Sequence, residues 1–124
     1  MHRLLWALQI AFGTYFVLVG VTHFIVPAGL PEPMAWMYDL SPTLHTVSGA
    51  AEILGGLGLI LPGLTRIQPR LTSFAALGLL AVMLLASAWH MQRGEYQNIV
   101  GNLIMGGVMA FIAYGRLRLR PLTA

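Results

Sequence analysis

The 124-residue sequence predicts an all-α fold, an integral membrane four-helix bundle, on three observations. Hydrophobic residues make up 57% of the chain and charged residues only 9%, against about 25% charged in an ordinary soluble domain. Four apolar runs are separable, each close to the roughly 20 residues that a helix needs to cross a bilayer. None of them alternates with period two, and a membrane barrel would need more polar lumen residues than this chain has. A single domain, 1–124, follows, with spans at about 4–25, 42–61, 71–90 and 98–114.

The first run begins after His2-Arg3 and closes at Pro27 and Gly29. It is longer than the 7–15 apolar residues of a cleaved signal core, so it reads as a retained span. The second starts with Ser41 as N-cap and Pro42 at the first helical position, and Pro62-Gly63 is its expected stop. Between these runs lie three prolines, Pro27, Pro31 and Pro33, then Trp36 and Tyr38, which suit a headgroup layer. Residues 33–40 read as a short interfacial helix in the first outer loop, with a plain aromatic-anchored loop as the alternative.

Charge sets the expected orientation. The seven basic residues are all arginine, and six of them fall at the two termini and between the second and third spans. With four spans those segments share one side, which the positive-inside rule assigns to the cytoplasm, N-in and C-in. Only Arg93 lies opposite. The net charge of +3 thus reports orientation, and no basic face with interleaved aromatics points to nucleic acid. The absence of cysteine excludes disulfides, thiol relays and iron–sulfur ligation by this chain.

Each span carries one stripe of small and polar residues. These are Gln9, Gly13, Phe16, Gly20 and His23 in the first, and His45, Ser48, Gly49, Glu52, Gly55, Gly56 and Leu59 in the second. The third has Ala76, Leu79, Met83, Ala86 and His90 with Ser87 beside them, and the fourth Asn98, Asn102, Met105, Gly106 and Met109. Under the expected topology His23, His45, Glu52, His90, Asn98 and Asn102 meet in the outer half of the bundle, so an outward-opening polar pocket fed by all four helices is expected. Glu52 lies about 10 Å below its span's start, and an ionisable residue at that depth marks a functional site by default. The plainer reading makes it a protonated partner that hydrogen-bonds a neighbouring helix. His23 and His90 stand at span ends, where a headgroup-layer position is the alternative, and His45 reads as interfacial.

Three chemistries suit such a cluster. His23, His90 and Glu52 could hold zinc or iron, but no H-x-x-x-H or E-x-x-H spacing occurs and no metal ligands are assigned. A quinone cofactor could take hydrogen bonds from a histidine and a protonated acid. Phe16 and Trp89 would then flank its ring, and Asn98 and Asn102 would complete the binding set. A proton-coupled site centred on Glu52 is the third. Catalytic roles, if present, fall on Glu52, His23 and His90.

Gly20-Val21-Thr22-His23-Phe24-Ile25-Val26-Pro27, the stretch from Ser48 to Leu59, and Leu61-Pro62-Gly63 resemble the DoxX and DoxX-like membrane proteins. His90 followed by Arg93-Gly94-Glu95, and the closing Tyr114-Gly115-Arg116, fit the same pattern. The resemblance implies a four-helix protein of the bacterial inner membrane, with named relatives tied to quinone-dependent thiosulfate oxidation and to oxidoreductase complexes. His23, Glu52 and His90 stand at the matching positions. Without cysteine, thiosulfate chemistry would have to occur on a partner or on the bound quinone. The expected function is a subunit or accessory of an oxidoreductase system that binds a quinone or other small lipophilic ligand. A proton-coupled small-molecule transporter and a non-catalytic assembly subunit are the alternatives. Expected partners are the lipid bilayer, the ligand, an oxidoreductase protein and further copies of the chain, with no nucleic acid.

Overall fold

Four long helices carry the chain back and forth in the computed structural model, which describes residues 1–123. They are α1 (His2–Ile25), α2 (Pro42–Thr65), α3 (Leu71–Gln92) and α4 (Tyr96–Tyr114). A short 3-10 helix, Glu32–Tyr38, lies between α1 and α2, and a π-helical turn, Gly115–Leu119, prolongs α4. The last residue of the expected domain, Ala124, is outside the described residues. Each long helix is long and apolar enough to cross a membrane.

The outside of the bundle is apolar. Leu54 and Leu85 are 70% and 72% exposed, with Leu18, Phe74 and Ile104 nearly as open. Leucine and phenylalanine on every outward face would be an aggregation surface in water. In a bilayer the same faces meet lipid, so the chain is a multi-pass membrane protein.

Glycine decides how α1 and α2 meet. A Cβ placed on Gly56 would stand 2.5 Å from the carbonyl oxygen of Gly13, and one on Gly13 would stand 2.9 Å from that of Gly56. Gly20 and Gly49 are paired in the same reciprocal way, each 2.9 Å from the other's carbonyl. The two pairs are one heptad apart on both helices, so the backbones touch along two turns. Small residues allow such an approach where lipid leaves van der Waals packing as the main driving force. Glu52 lies between Gly49 and Gly56, and His23 lies one turn beyond Gly20. The close approach therefore sets their separation.

The apolar centre joins Phe16, Leu59, Leu79, Met83, Met109 and Ile112. The α1 stripe read from the sequence is the buried face, extended by Leu5. Helix α2 differs at its end, because it passes through Pro62 and stops at Thr65, with Arg66 in the left-handed region at φ 59°. A proline removes only its own N–H from the ladder, and a buried ring among neighbouring helices is tolerated in membrane helices. Helix α1 pairs most closely with α2, and α3 with α4. The α2–α3 seam is looser.

Candidate functional site

At the end of the bundle that carries the 3-10 helix, a cavity of about 170 Å³ opens between α2 and α3. Its polar lining is His23, Ser48, Glu52 and His90, and Trp36 and Trp89 supply the aromatic walls. Leu44, Val47 and Leu85 form a rim that is 41%, 61% and 72% exposed. Since those residues face lipid, the cavity is entered from the apolar side of the bundle.

Glu52 is 5% exposed and is the one acid buried among the described residues. Its Oε2 lies 3.1 Å from His23 Nε2, within ion-pair reach, yet has no aligned hydrogen-bond donor. A buried carboxyl oxygen without an aligned donor is costly unless a further group satisfies it. His23 Nδ1 meets His45 Nδ1 at 2.9 Å, and His45 Nε2–H donates to the Met37 carbonyl at 2.8 Å. That last bond puts a proton on His45 Nε2, because a carbonyl only accepts. One proton then occupies the link between the two Nδ1 atoms. Glu52, His23 and half-buried His45 thus stand in a row from the cavity to the 3-10 segment, with facing polar atoms 3.1 and 2.9 Å apart.

On the opposite wall, His90 is 2% exposed and its Nδ1–H donates to Glu95 Oε1 at 3.0 Å. Arg93 Nε donates to the same oxygen at 2.8 Å, and Arg93 Nη2 donates to Asp39 Oδ2 at 2.6 Å. The Arg93 hydrogen bond, helped by His90, holds the Glu95 carboxyl below the usual range against the opposing effect of burial. An ionised Glu95 fixes the His90 tautomer with its proton on Nδ1, leaving Nε2 as an acceptor without a partner among the described residues. The Arg93 guanidinium also stacks over Trp89 at 4.7 Å. Trp36 stands between the two walls, 6.0 Å from the His23 ring and 5.0 Å from the His90 ring.

Of the residues singled out in the sequence, Glu52, His23, His90 and Trp89 all line this cavity. Phe16 is fully buried in the apolar centre instead, and Asn98 and Asn102 are half-buried on α4, which contributes nothing to the lining. The cavity is therefore built by α1, the 3-10 segment, α2 and α3 rather than by all four helices. His45, read as interfacial, is bonded directly to His23. Its place on the Glu52 stripe, two turns away, was the available signal. Trp36 and Glu95 gave no comparable one. Among the described residues no three His, Asp or Glu side chains converge as a metal-ligand set.

A second polar cluster lies at the opposite end. Arg116, 3% exposed, donates from Nε to Gln9 Oε1 at 2.6 Å, and Gln9 Nε2 donates to the Leu59 carbonyl at 2.7 Å. The π-helical turn aims Arg116 inward. Gly115 is packed so tightly on Leu5 that a Cβ there would come within 2.6 Å of its side chain.

Residues 7–113, nearly the whole bundle with both walls of the cavity, match the DoxX-like family. The chain belongs to the DoxX-like family. No curated protein and no solved structure matches it. In this DoxX-like protein the matched region includes His23, Glu52 and His90 and ends just before the π-helical turn that carries Arg116.

Proposed function

We propose that this DoxX-like protein binds a small single-ring lipophilic ligand, best matched by a benzoquinone and its quinol, in the cavity between α2 and α3. The observation that carries the reading is Glu52 Oε2, a buried carboxyl oxygen lacking an aligned donor in a cavity rimmed by lipid-facing leucine and valine. A ligand that meets it must dissolve in the bilayer and must bring a hydrogen-bond donor, which the hydroxyl of a quinol supplies. Size narrows the choice. About 170 Å³ is close to the roughly 150 Å³ of an engineered cavity that takes up benzene, so one six-membered ring fills it. Hydrogen-bonding groups on opposite walls, the Glu52 carboxyl on one side and His90 Nε2, the ring nitrogen that Glu95 leaves as an acceptor, on the other, suit the two hydroxyls of a para-quinol, the reduced form of the ring.

Reduction of such a ring to its quinol takes two electrons and two protons. The protons come through Glu52, with the Glu52–His23–His45 side chains as the route, and His90 Nε2 accepts from the quinol hydroxyl once it has formed. The electrons come from a partner oxidoreductase, in keeping with the resemblance to quinone-linked systems. The arginine distribution supports an N-in, C-in orientation, which puts the cavity, the relay exit at His45 and an interfacial 3-10 helix on the outer side of a bacterial inner membrane.

Equilibrium binding of a decyl-substituted dimethoxy-methyl-benzoquinone to the protein in lipid nanodiscs tests the reading. Binding that Glu52→Gln and His23→Ala each weaken by tenfold or more is expected. Equal binding by both variants and the parent would refute it, and pH-driven dye uptake in proteoliposomes without quinone binding would favour the transporter alternative.

A further inference from the structure

We infer that the ligand's ring carries one long apolar chain, and that this chain lies in the groove continuing the α2–α3 seam below the cavity. The inference rests on the proposed reading and adds the chain, which that reading does not require. A ring fills the upper cavity, so any substituent must leave it. One direction is already open. A second depression, about 400 Å³, follows the same seam and is lined on α2 by Gly55, Gly58 and Pro62 and on α3 by Phe74, Ala75 and Gly78. Ala51 lines both spaces, so the polar cavity and the groove meet at that residue.

The lining of the groove carries no charged residue. From Ala51 to Pro62 it runs roughly 16 Å at 1.5 Å per helical residue, about half of a 30 Å hydrocarbon core. Gly78 is the position that keeps it open. A Cβ at Gly55 or Gly58 would strike Leu79 or Ala75, so those glycines serve packing, whereas a Cβ at Gly78 would meet nothing within 4 Å. A bulky side chain at Gly78 can therefore occupy the groove without pushing the helices apart. The combination, a hydrogen-bonding cavity of ring size opening into an uncharged groove, matches an amphiphile with a polar ring head and one extended tail.

Lipid tails are as apolar as the groove, so the chain gains little from leaving the bilayer. Its advantage is packing against fixed walls, and on the order of ten carbon contacts would give roughly a tenfold preference. Quenching of tryptophan fluorescence in nanodiscs would be followed for two probes, the decyl-substituted benzoquinone and the same ring without a chain, at matched membrane concentrations. The parent should bind the decyl form about tenfold more tightly. Gly78→Leu should abolish that preference and leave affinity for the chainless ring unchanged, while Gly107→Leu, on an equally open part of α4, should alter neither. A chain ending in a photoreactive diazirine should label the α2–α3 groove of the unaltered protein, which keeps the test independent of how Gly78→Leu folds.

Equal affinity for the two probes in the parent, a preference that survives Gly78→Leu, or labelling spread evenly over the lipid-facing surface would each overturn the inference and leave the cavity reading standing. Failure of both probes to bind would overturn the cavity reading, and the inference with it.

Discussion

Gly56→Ala and Gly78→Ala are the same chemical change and should move stability in opposite directions. In a helix, alanine is favoured over glycine by about 0.5–1 kcal/mol through backbone entropy. At Gly78 nothing lies within 4 Å of the new methyl, so that gain should appear nearly intact. At Gly56 the methyl would stand 2.5 Å from the Gly13 carbonyl oxygen, roughly 1 Å inside ordinary contact. That obstacle is backbone and cannot rotate away. Overpacking of this kind costs typically 1–3 kcal/mol, which outweighs the entropy gain and leaves Gly56→Ala about 1–2 kcal/mol less stable. Moving α1 away from α2 by about 1 Å would also lengthen the 3.1 Å contact between His23 and Glu52, so ligand binding should weaken along with stability. Reversible unfolding in mixed detergent micelles, followed by far-UV circular dichroism, gives the two free energies. Equal and stabilising effects at both positions would refute the backbone-contact account of the α1–α2 interface.

Three further outcomes are expected. His45→Phe keeps an aromatic ring but removes the nitrogens of the proposed proton route. Quinone affinity should be retained while proton uptake during quinone reduction, followed with a pH-sensitive dye, slows by about a hundredfold; an unchanged rate would mean another route. Glu95 has its folded pKa depressed, so its contribution to stability is present above the unfolded carboxyl value of about 4.3 and is lost as pH falls through the lower folded value. Melting temperature should therefore drop on acidification through that window, and Glu95→Gln should remove this part of the drop. Gln9→Leu takes the acceptor from a buried guanidinium, which should destabilise the bundle by about 2–3 kcal/mol in denaturant unfolding. A smaller loss would mean that the bonds of Arg116 Nη1 to His2 and to the Arg120 carbonyl suffice.

The four helices were legible because lipid imposes length and composition on every span, and these are properties of the sequence itself. The burial stripe of α1 was equally plain, since Gln9, Gly13, Phe16, Gly20 and His23 recur at helical spacing with little else polar nearby. Which stripes share a cavity was not. Asn98 and Asn102 fall in the same half of the expected bundle as Glu52, but that does not say which seam opens, and the cavity formed where α2 and α3 part rather than on α4. Trp36 in the cavity wall, and the bonds of His45 to His23 and Met37, escaped for a related reason. The 3-10 segment folds back over the bundle through its buried Met37, whose carbonyl accepts from His45, and no periodicity encodes a contact between a loop and a helix terminus. The passage of α2 through Pro62 shows the same limit, because the neighbours that let a helix tolerate a proline are tertiary.

The central claim is that the cavity holding Glu52 is a ligand site, and the most direct measurement is native mass spectrometry of the protein released gently from its own membrane. The account predicts a retained adduct with the mass of a tailed quinone on the parent chain and its loss from Glu52→Gln. A parent chain that flies bare under conditions that keep lipids bound, with Glu52→Gln indistinguishable from it, would contradict the account and leave Glu52 as a partner in helix packing.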